Sequence, residues 1–435
     1  MQTTIQSIGK CEIRSPLQRL GPHIQFKDDE DRVLFDHSFA ETARAFAKGE
    51  QPVSFESAGP RERIFFDPSR VNAGIVTCGG LCPGLNDVIR GIVVELYYRY
   101  GVQTTYGFRY GYRGLIHRYG HAPMPLRPDK VANIHLSGGT ILGTSRGPQS
   151  AAEMVDTLEE MKVNLLFVIG GDGTLRGAME LCGEIERRGR RISVVGIPKT
   201  IDNDIMFLDK TFGFETAFAE AVKSVECARI EAVGSPNGVG LVKLMGRDSG
   251  FIACFTALAG GAVNFVLIPE VPFQLEGARG LLEALRYRLE KHKNAVIVVS
   301  EGAGQDLLAS QPSRGEGADA SGNKRFGDIG LFLKQRIADF CASRKIDLNL
   351  KYIDPSYTIR SVPASAHDNV YCSHLAQLSV HAAMAGKTGM LVGCWHGAFV
   401  HLPLELITHG RRKVNPREDL WLAVLAATGQ PANLC

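Results

Sequence analysis

An excess of charge of either sign is missing from this 435-residue sequence, in which 49 Lys and Arg stand against 46 Asp and Glu for a formal net charge of +3. So small a surplus argues for neither nucleic acid nor a membrane surface as partner. No stretch is apolar for long enough to span a bilayer, and the first residues lack the apolar run of a secretory leader, so the cytoplasm is the expected compartment. The ten cysteines offer no metal-ligand spacing: Cys78 and Cys82 share a glycine-rich turn, but no second close Cys or His pair would complete a zinc site. Cys182, Cys227, Cys254 and Cys341 lie in amphipathic or apolar segments and are expected as free thiols of a reducing compartment. No repeat of fixed period is present. What remains is a length sufficient for two domains, a 44% hydrophobic and 22% charged composition, and 48 glycines embedded among apolar strands. That combination suits an α/β protein with many tight strand-to-helix turns.

The stretch LLFVIGGDGTLRGA (165–178) is the focus of the chain. Its apolar, partly β-branched run reads as a buried parallel strand, followed by a Gly170-Gly171-Asp172-Gly173-Thr174 turn and a helical pattern beginning near Arg176. Glycines let a phosphate approach the backbone, and the first amides of a helix point at it with the positive end of the dipole. Asp172 would repel that phosphate unless a cation sat between them, so the turn reads as a Mg²⁺-nucleotide site.

Other strand ends present similar loops. A strand over 71–76 runs into TCGGLCPGLN (77–86) and an apolar helix, a turn that serves either phosphate binding or packing. LSGGTILGTSRG (136–147) brings Arg146 on a loop of small residues, either to reach a polyphosphate or to stand in solvent. A strand over 192–197 delivers PKTIDND (198–204) to the edge where the glycine turns emerge, and ligands of doubly wound sheets bind at that edge. Asp202 or Asp204 is a candidate general base and Lys199 a candidate for neutralising a transferred phosphate; an Asx-turn or cap at 202–204 is the bland alternative, and it leaves Lys199 unexplained. Further on, strands over 239–244, 265–268 and 295–300 lead into MGRDSG (245–250), Pro269-Glu270 and Glu301-Gly302. A Glu and an Arg from separate strand ends suit a sugar phosphate, the carboxylate accepting from hydroxyls and the guanidinium holding the anion. The Ser-, Gly- and Ala-rich stretch 311–324 reads as a lid, and KYIDPSYTIR (351–360) is the last motif.

The ordered set TCGGLCPGLN, GGTILGTSR, GGDGT, PKTIDND, MGRDSG, SEG and YIDPSYTIR resembles the phosphofructokinase family over residues from about 71 to 397. It is most similar to the ATP-dependent branch of plants, trypanosomatids and some bacteria, which lies within the pyrophosphate-using lineage. The resemblance implies two Rossmann-like three-layer α/β domains with mostly parallel sheets and an active site in the cleft between them. It divides the chain into an N-terminal extension (1–70), a nucleotide-binding domain (71–212, rejoined by about 360–397), a fructose 6-phosphate domain (213–359) and a C-terminal segment (398–435). It implies that Gly79, Arg146 and Gly147 contact the nucleotide, that Gly171, Asp172, Gly173 and Thr174 hold its phosphates, and that Asp172 faces Mg²⁺. Asp202 would take the proton from the 1-hydroxyl of fructose 6-phosphate, with Lys199, Thr200, Ile201 and Asp204 beside it and Arg247 stabilising the transferred phosphoryl group. Met245 and Gly246 would border the sugar, Glu301 would hold its hydroxyls, and Tyr357, Thr358, Ile359 and Arg360 its 6-phosphate end. Lys351 corresponds to a cation that bacterial relatives supply from a neighbouring subunit, and Gly238 stands where they carry an arginine.

The donor rests on Gly173. Pyrophosphate-dependent relatives usually carry aspartate there, which would intrude on a nucleotide's α-phosphate, whereas glycine leaves room for ATP. Lys199 is typical of pyrophosphate users, yet the ATP-using branch keeps it. The expected activity is phosphorylation of fructose 6-phosphate by MgATP, in a homotetramer or homodimer. A pyrophosphate-dependent reaction and a silent regulatory subunit are the alternatives, and the presence of Asp172, Asp202 and Arg247 together argues against silence.

Overall fold

The computed structural model describes residues 1–308 and 326–434, so the lid expected at 311–324 lies outside the described residues. The chain divides into two compact units: Met1–Thr200 with Ile205–Gly213 and Val362–Arg411, and Ile201–Asp204 with Phe214–Ser361 and Arg412–Cys435.

The first unit is built on a nine-stranded sheet whose order is Arg32–Leu34, Ser54–Ser57, Ala398–Pro403, Met390–Trp395, Ser193–Pro198, Leu165–Gly170, Asn72–Thr77, Thr104–Phe108 and Met124–Pro125. Its five inner members, from Met390–Trp395 to Thr104–Phe108, run parallel, and antiparallel strands flank them. Parallel strands need both faces covered, which explains their unbroken apolar runs. Along Leu165–Gly170 every residue is buried. Leu166 and Val168 join a core with Leu175, Ala178 and Leu181 of the helix Asp172–Arg187. Leu165, Phe167 and Ile169 alternate to the other face, where the helices Leu85–Val94 and Ala366–Met384 pack together.

The first seventy residues add strands to this unit. Ser54–Ser57 pairs with Ala398–Pro403, opposing Glu56 to His401. Glu56 is buried, and its carboxylate meets Arg61 at 2.7 Å, Lys387 at 3.1 Å and His401 at 2.9 Å. Burial pushes this carboxyl up, but the His401 hydrogen bond and the Lys387 and Arg61 charges outweigh burial and hold it at about 2. A buried carboxylate so fully paired costs little to keep ionised.

The second unit has a four-stranded parallel sheet in the order Phe265–Leu267, Asn294–Ser300, Gly238–Leu244, Asn349–Ile353. Val239, Leu241, Ala295, Ile297 and Val299 face a core shared with the helices Leu281–His292 and Ile329–Ser343. The opposite face lies under the helix Phe214–Val233, which approaches closely at two glycines. A Cβ at Gly240 would stand 2.7 Å from the Ala228 carbonyl oxygen, and one at Gly238 only 2.0 Å from that of Ala232. No arginine fits at Gly238 without displacing that helix.

Candidate active site

In the first unit, three parallel strands end level with one another: Thr77 pairs with Ile169, and Gly170 with Pro198. Their loops therefore emerge together at the carboxyl edge of the sheet. Gly79, in the left-handed region at φ 87°, donates its N–H to the Ser145 carbonyl at 3.0 Å and accepts from Thr144 Oγ1 at 2.7 Å. These bonds tie the TCGG turn to the loop that carries Arg146 and Gly147, and Arg146 is exposed. Lys199 is buried; its ammonium donates to the Gly80 carbonyl at 2.8 Å and would lie 3.6 Å from a Cβ at Gly79. The structure thus brings Gly79, Arg146, Lys199 and the Gly170–Thr174 stretch to one edge. Thr200 follows directly, its carbonyl accepting from Thr211 Oγ1 at 2.7 Å.

The helix after the GGDGT turn starts earlier than the sequence pattern indicates, at Asp172 rather than near Arg176, with Gly171 as its N-cap. Asp172, Gly173 and Thr174 are thus its first turn. An acidic first residue is favoured there by the helix dipole, and Thr174 is fixed by its carbonyl, which accepts from the Tyr112 hydroxyl at 2.7 Å. A Cβ added at Gly173 would meet no atom within 4 Å, and Gly173 is exposed with ordinary negative φ. The Asp172 carboxylate pairs with Arg176, one helical turn on, and with Arg411 at 3.4 Å. Spacing alone could have found Arg176, since residues four apart share a helix face. Arg411 lies 239 positions away and gave no such signal.

In the second unit, Asp202 and Asp204 lie on a sharp loop with Asn203 in the left-handed region at φ 55°. The carbonyl of Asp202 accepts from Ser249 Oγ at 3.0 Å, which joins this loop to MGRDSG. Gly246, at φ 121°, and Gly302 are required by crowding, because a Cβ at Gly302 would fall 1.8 Å from the Arg247 carbonyl oxygen. That contact brings the MGR and SEG turns together. Burial pushes the Glu301 carboxyl above the usual carboxylate range, while Arg247, Lys243 and Arg360 pull it back down and Asp354 adds to the rise. Arg247 lies over the Phe326 ring and Arg360 over that of Tyr357, at 4.5 and 4.8 Å from the centroids. Tyr357 is 75% exposed, so its phenol is available to a ligand, whereas Ile359 is wholly buried and contributes packing. Met245, Gly246, Arg247, Glu301, Tyr357, Thr358 and Arg360 thus gather near the strand ends. Lys351 does not: it is exposed on the edge strand opposite Gly240, four residues (about 13 Å) short of the end of that neighbour at Leu244.

Asp172 bears on a metal by its chemistry. Among the described residues no group of three or more His, Cys, Asp and Glu could cage an ion. A single carboxylate beside a phosphate turn suits Mg²⁺, which is held by one or two carboxylates and substrate phosphates.

Comparison with known proteins places these loops in a lineage. The profile described as phosphofructokinase matches residues 72–383, more than half of the chain. The chain belongs to the phosphofructokinase family. Among curated members, the "ATP-dependent 6-phosphofructokinase" of Amycolatopsis methanolica is 49% identical in an alignment covering 98% of this chain and 95% of that one. The namesake from Trypanosoma brucei brucei is 45% identical, covering 95% and 84%. A solved phosphofructokinase, titled pyrophosphate-dependent, from Nitrosospira multiformis superposes with a TM-score of 0.68 over 83% of this chain and 92% of that one. At 18% identity that likeness shows the phosphofructokinase fold alone.

Proposed function

We propose that this phosphofructokinase transfers the γ-phosphoryl group of ATP to the 1-hydroxyl of D-fructose 6-phosphate, giving fructose 1,6-bisphosphate and ADP, a step of glycolysis. Relatives similar over nearly their whole length are named for the ATP-dependent reaction. The observation that carries the choice of donor is the open space at Gly173, beside a turn otherwise suited to phosphate.

The first unit is the nucleotide-binding domain. Gly171 to Thr174 hold the phosphates at the start of the helix with its dipole behind them, Gly79 and Arg146 with Gly147 border the nucleotide, and Lys199 neutralises phosphate charge. Magnesium bound with ATP supplies further charge neutralisation on the phosphates, and Asp172 is the residue that would hold it. The second unit is the sugar-phosphate domain. Arg360, Tyr357 and Thr358 hold the 6-phosphate end, Glu301 accepts from ring hydroxyls, and Met245 and Gly246 border the sugar. Asp202 takes the proton of the 1-hydroxyl as its oxygen bonds to the γ-phosphorus, the bond from that phosphorus to the β–γ bridging oxygen breaks, and ADP departs. Arg247 stabilises the charge on the phosphoryl group in transit. Positioning and charge neutralisation do most of this work, as phosphoryl transfer requires.

Lys351, away from the other sugar-site residues of its own chain, acts on the 6-phosphate of a neighbouring subunit in a homotetramer or homodimer, and the enzyme is cytoplasmic. Steady-state assay of the purified protein with each donor tests the whole reading: turnover with pyrophosphate and none with ATP overturns it. Asp202→Asn should lower kcat by about 10²–10⁴-fold with the fold intact, the contribution of a positioned base. A variant keeping most of its kcat removes Asp202 from that role.

A further inference from the structure

The stretch Ile201–Asp204 is held from two sides within the second unit. On one side Ser249, itself fully buried, donates its hydroxyl to the Asp202 carbonyl at 3.0 Å. On the other, the backbone N–H of Arg412 donates to the Asp204 carbonyl at 2.8 Å. The left-handed residue Asn203 sits between these two anchors and is buried.

Arg412 is in turn locked in place. Its guanidinium lies 4.7 Å from the ring centroid of Phe251, the first residue of the helix that follows MGRDSG. Two residues on, the N–H of Val414 donates to Glu270 Oε1 at 2.8 Å, and the same oxygen accepts from the N–H of Gly250 at 2.9 Å. Residues 412–414 are thereby fastened to the turn that carries Arg247 and Ser249, and they grip the far end of the loop that carries Asp202. A strand or helix would hold such a loop by regular backbone pairing. Here the left-handed residue Asn203 breaks regular pairing, and donors from Ser249 and Arg412 reach the carbonyls on either side of it.

We propose that Arg412 is a positioning residue for the general base. Its main chain sets the Asp204 carbonyl, its side chain locks that main chain onto Phe251, and the Asp202 carboxylate is thereby held in reach of the sugar hydroxyl. A misplacement of about 1 Å at a reacting group costs on the order of 10²-fold in rate, so modest slack in this clamp reaches kcat. This inference rests on Asp202 as the base of the reaction proposed above.

The test is kinetic. Arg412→Ala should lower kcat about 10-fold or more, leave KM for MgATP within about twofold, and keep the parent Tm within a few degrees. Arg412→Lys, which keeps a cation over the ring, should recover most of the loss. Ser249→Ala loosens the opposite anchor of the same loop, so the two losses should be non-additive when combined. An Arg412→Ala variant with kcat within about twofold of the parent overturns the proposal, as does a loss that Arg412→Lys does not recover and that follows a fall in Tm. A parent enzyme inactive toward fructose 6-phosphate would instead sink the functional reading, so the two failures are told apart by the parent's own turnover.

Discussion

Replacing Gly173 by aspartate isolates the choice of phosphoryl donor from the stability of the fold. The position is exposed, its φ is ordinary, and a Cβ there meets nothing within 4 Å, so the substitution displaces no protein atom. It is also the second residue of the helix Asp172–Arg187. Glycine inside a helix is worth about 0.3 kcal/mol less than aspartate, and an acidic residue in the first turn gains about 0.3–1 kcal/mol from the dipole. Tm should therefore stay level or rise. The donor is affected differently. A carboxylate about 5 Å from a phosphate oxygen, at an effective dielectric near 20, adds about 3 kcal/mol of repulsion, or about 100-fold in kcat/KM for ATP.

The assay is initial rate against ATP and against pyrophosphate, at saturating fructose 6-phosphate, with thermal unfolding of the same preparations. Gly173→Ala serves as the uncharged control and should lose less than about 10-fold, because it adds one methyl to open space. Gly173→Asp with ATP turnover within about threefold of the parent refutes the argument. A marked fall in Tm would refute the other half, namely that the fold has room at this position.

Three further outcomes follow from named groups. Burial raises the Glu301 carboxyl above the ordinary range against the pull of Arg247, so KM for fructose 6-phosphate should climb on the acid side beginning above ordinary carboxylate pH, and Glu301→Gln should flatten that limb; a rise that Glu301→Gln leaves unchanged would refute it. Burial also pushes the Glu95 carboxyl up to about 7, so the folded state takes up a proton there and stability is lost as pH rises from the usual carboxylate range through 7. Glu95→Gln should match the parent Tm at pH 5 and exceed it at pH 8 by an amount worth up to about 3 kcal/mol; equal Tm values at pH 8 would contradict this. Arg411→Ala removes one of the cations on Asp172 and should raise KM for ATP roughly fivefold, the equivalent of about 1 kcal/mol, in titrations at fixed fructose 6-phosphate; an unchanged KM counts against it.

Strands covered on both faces were legible because their apolar runs are continuous: 165–170 and 294–300 stand out in the bare sequence. The strand Ser54–Ser57 did not, since its inward Glu56 reads as solvated until Arg61, Lys387 and His401 are seen around it. The start of the helix at Asp172 was missed for a related reason. Three glycines and a threonine look like a turn, and the dipole and the Tyr112 bond to the Thr174 carbonyl favour helix there. Lys351 was grouped with Tyr357 and Arg360 by closeness in sequence. It belongs to the edge strand Asn349–Ile353, whose register sets it opposite Gly240, about 13 Å before the end of that neighbouring strand at Leu244. Arg411 and Arg412 were invisible because their partners, Asp172 and Asp204, are more than two hundred residues away.

Those two arginines also alter how Asp172 is to be understood. Read from sequence, a carboxylate in a phosphate turn is an obstacle that only a metal ion relieves. In the folded chain it already faces Arg176 and Arg411, so the group of three side chains carries a net positive charge before any donor arrives. Such a turn attracts polyphosphate by itself, and in the proposed complex with MgATP the arginines would turn from the carboxylate to phosphate oxygens while Asp172 would hold the metal. On the reading proposed above, charge arithmetic would account for one residue selecting the donor. A second carboxylate at position 173 would bring the group to neutrality, and an electrostatic preference that depends on a surplus of one is lost in a single substitution.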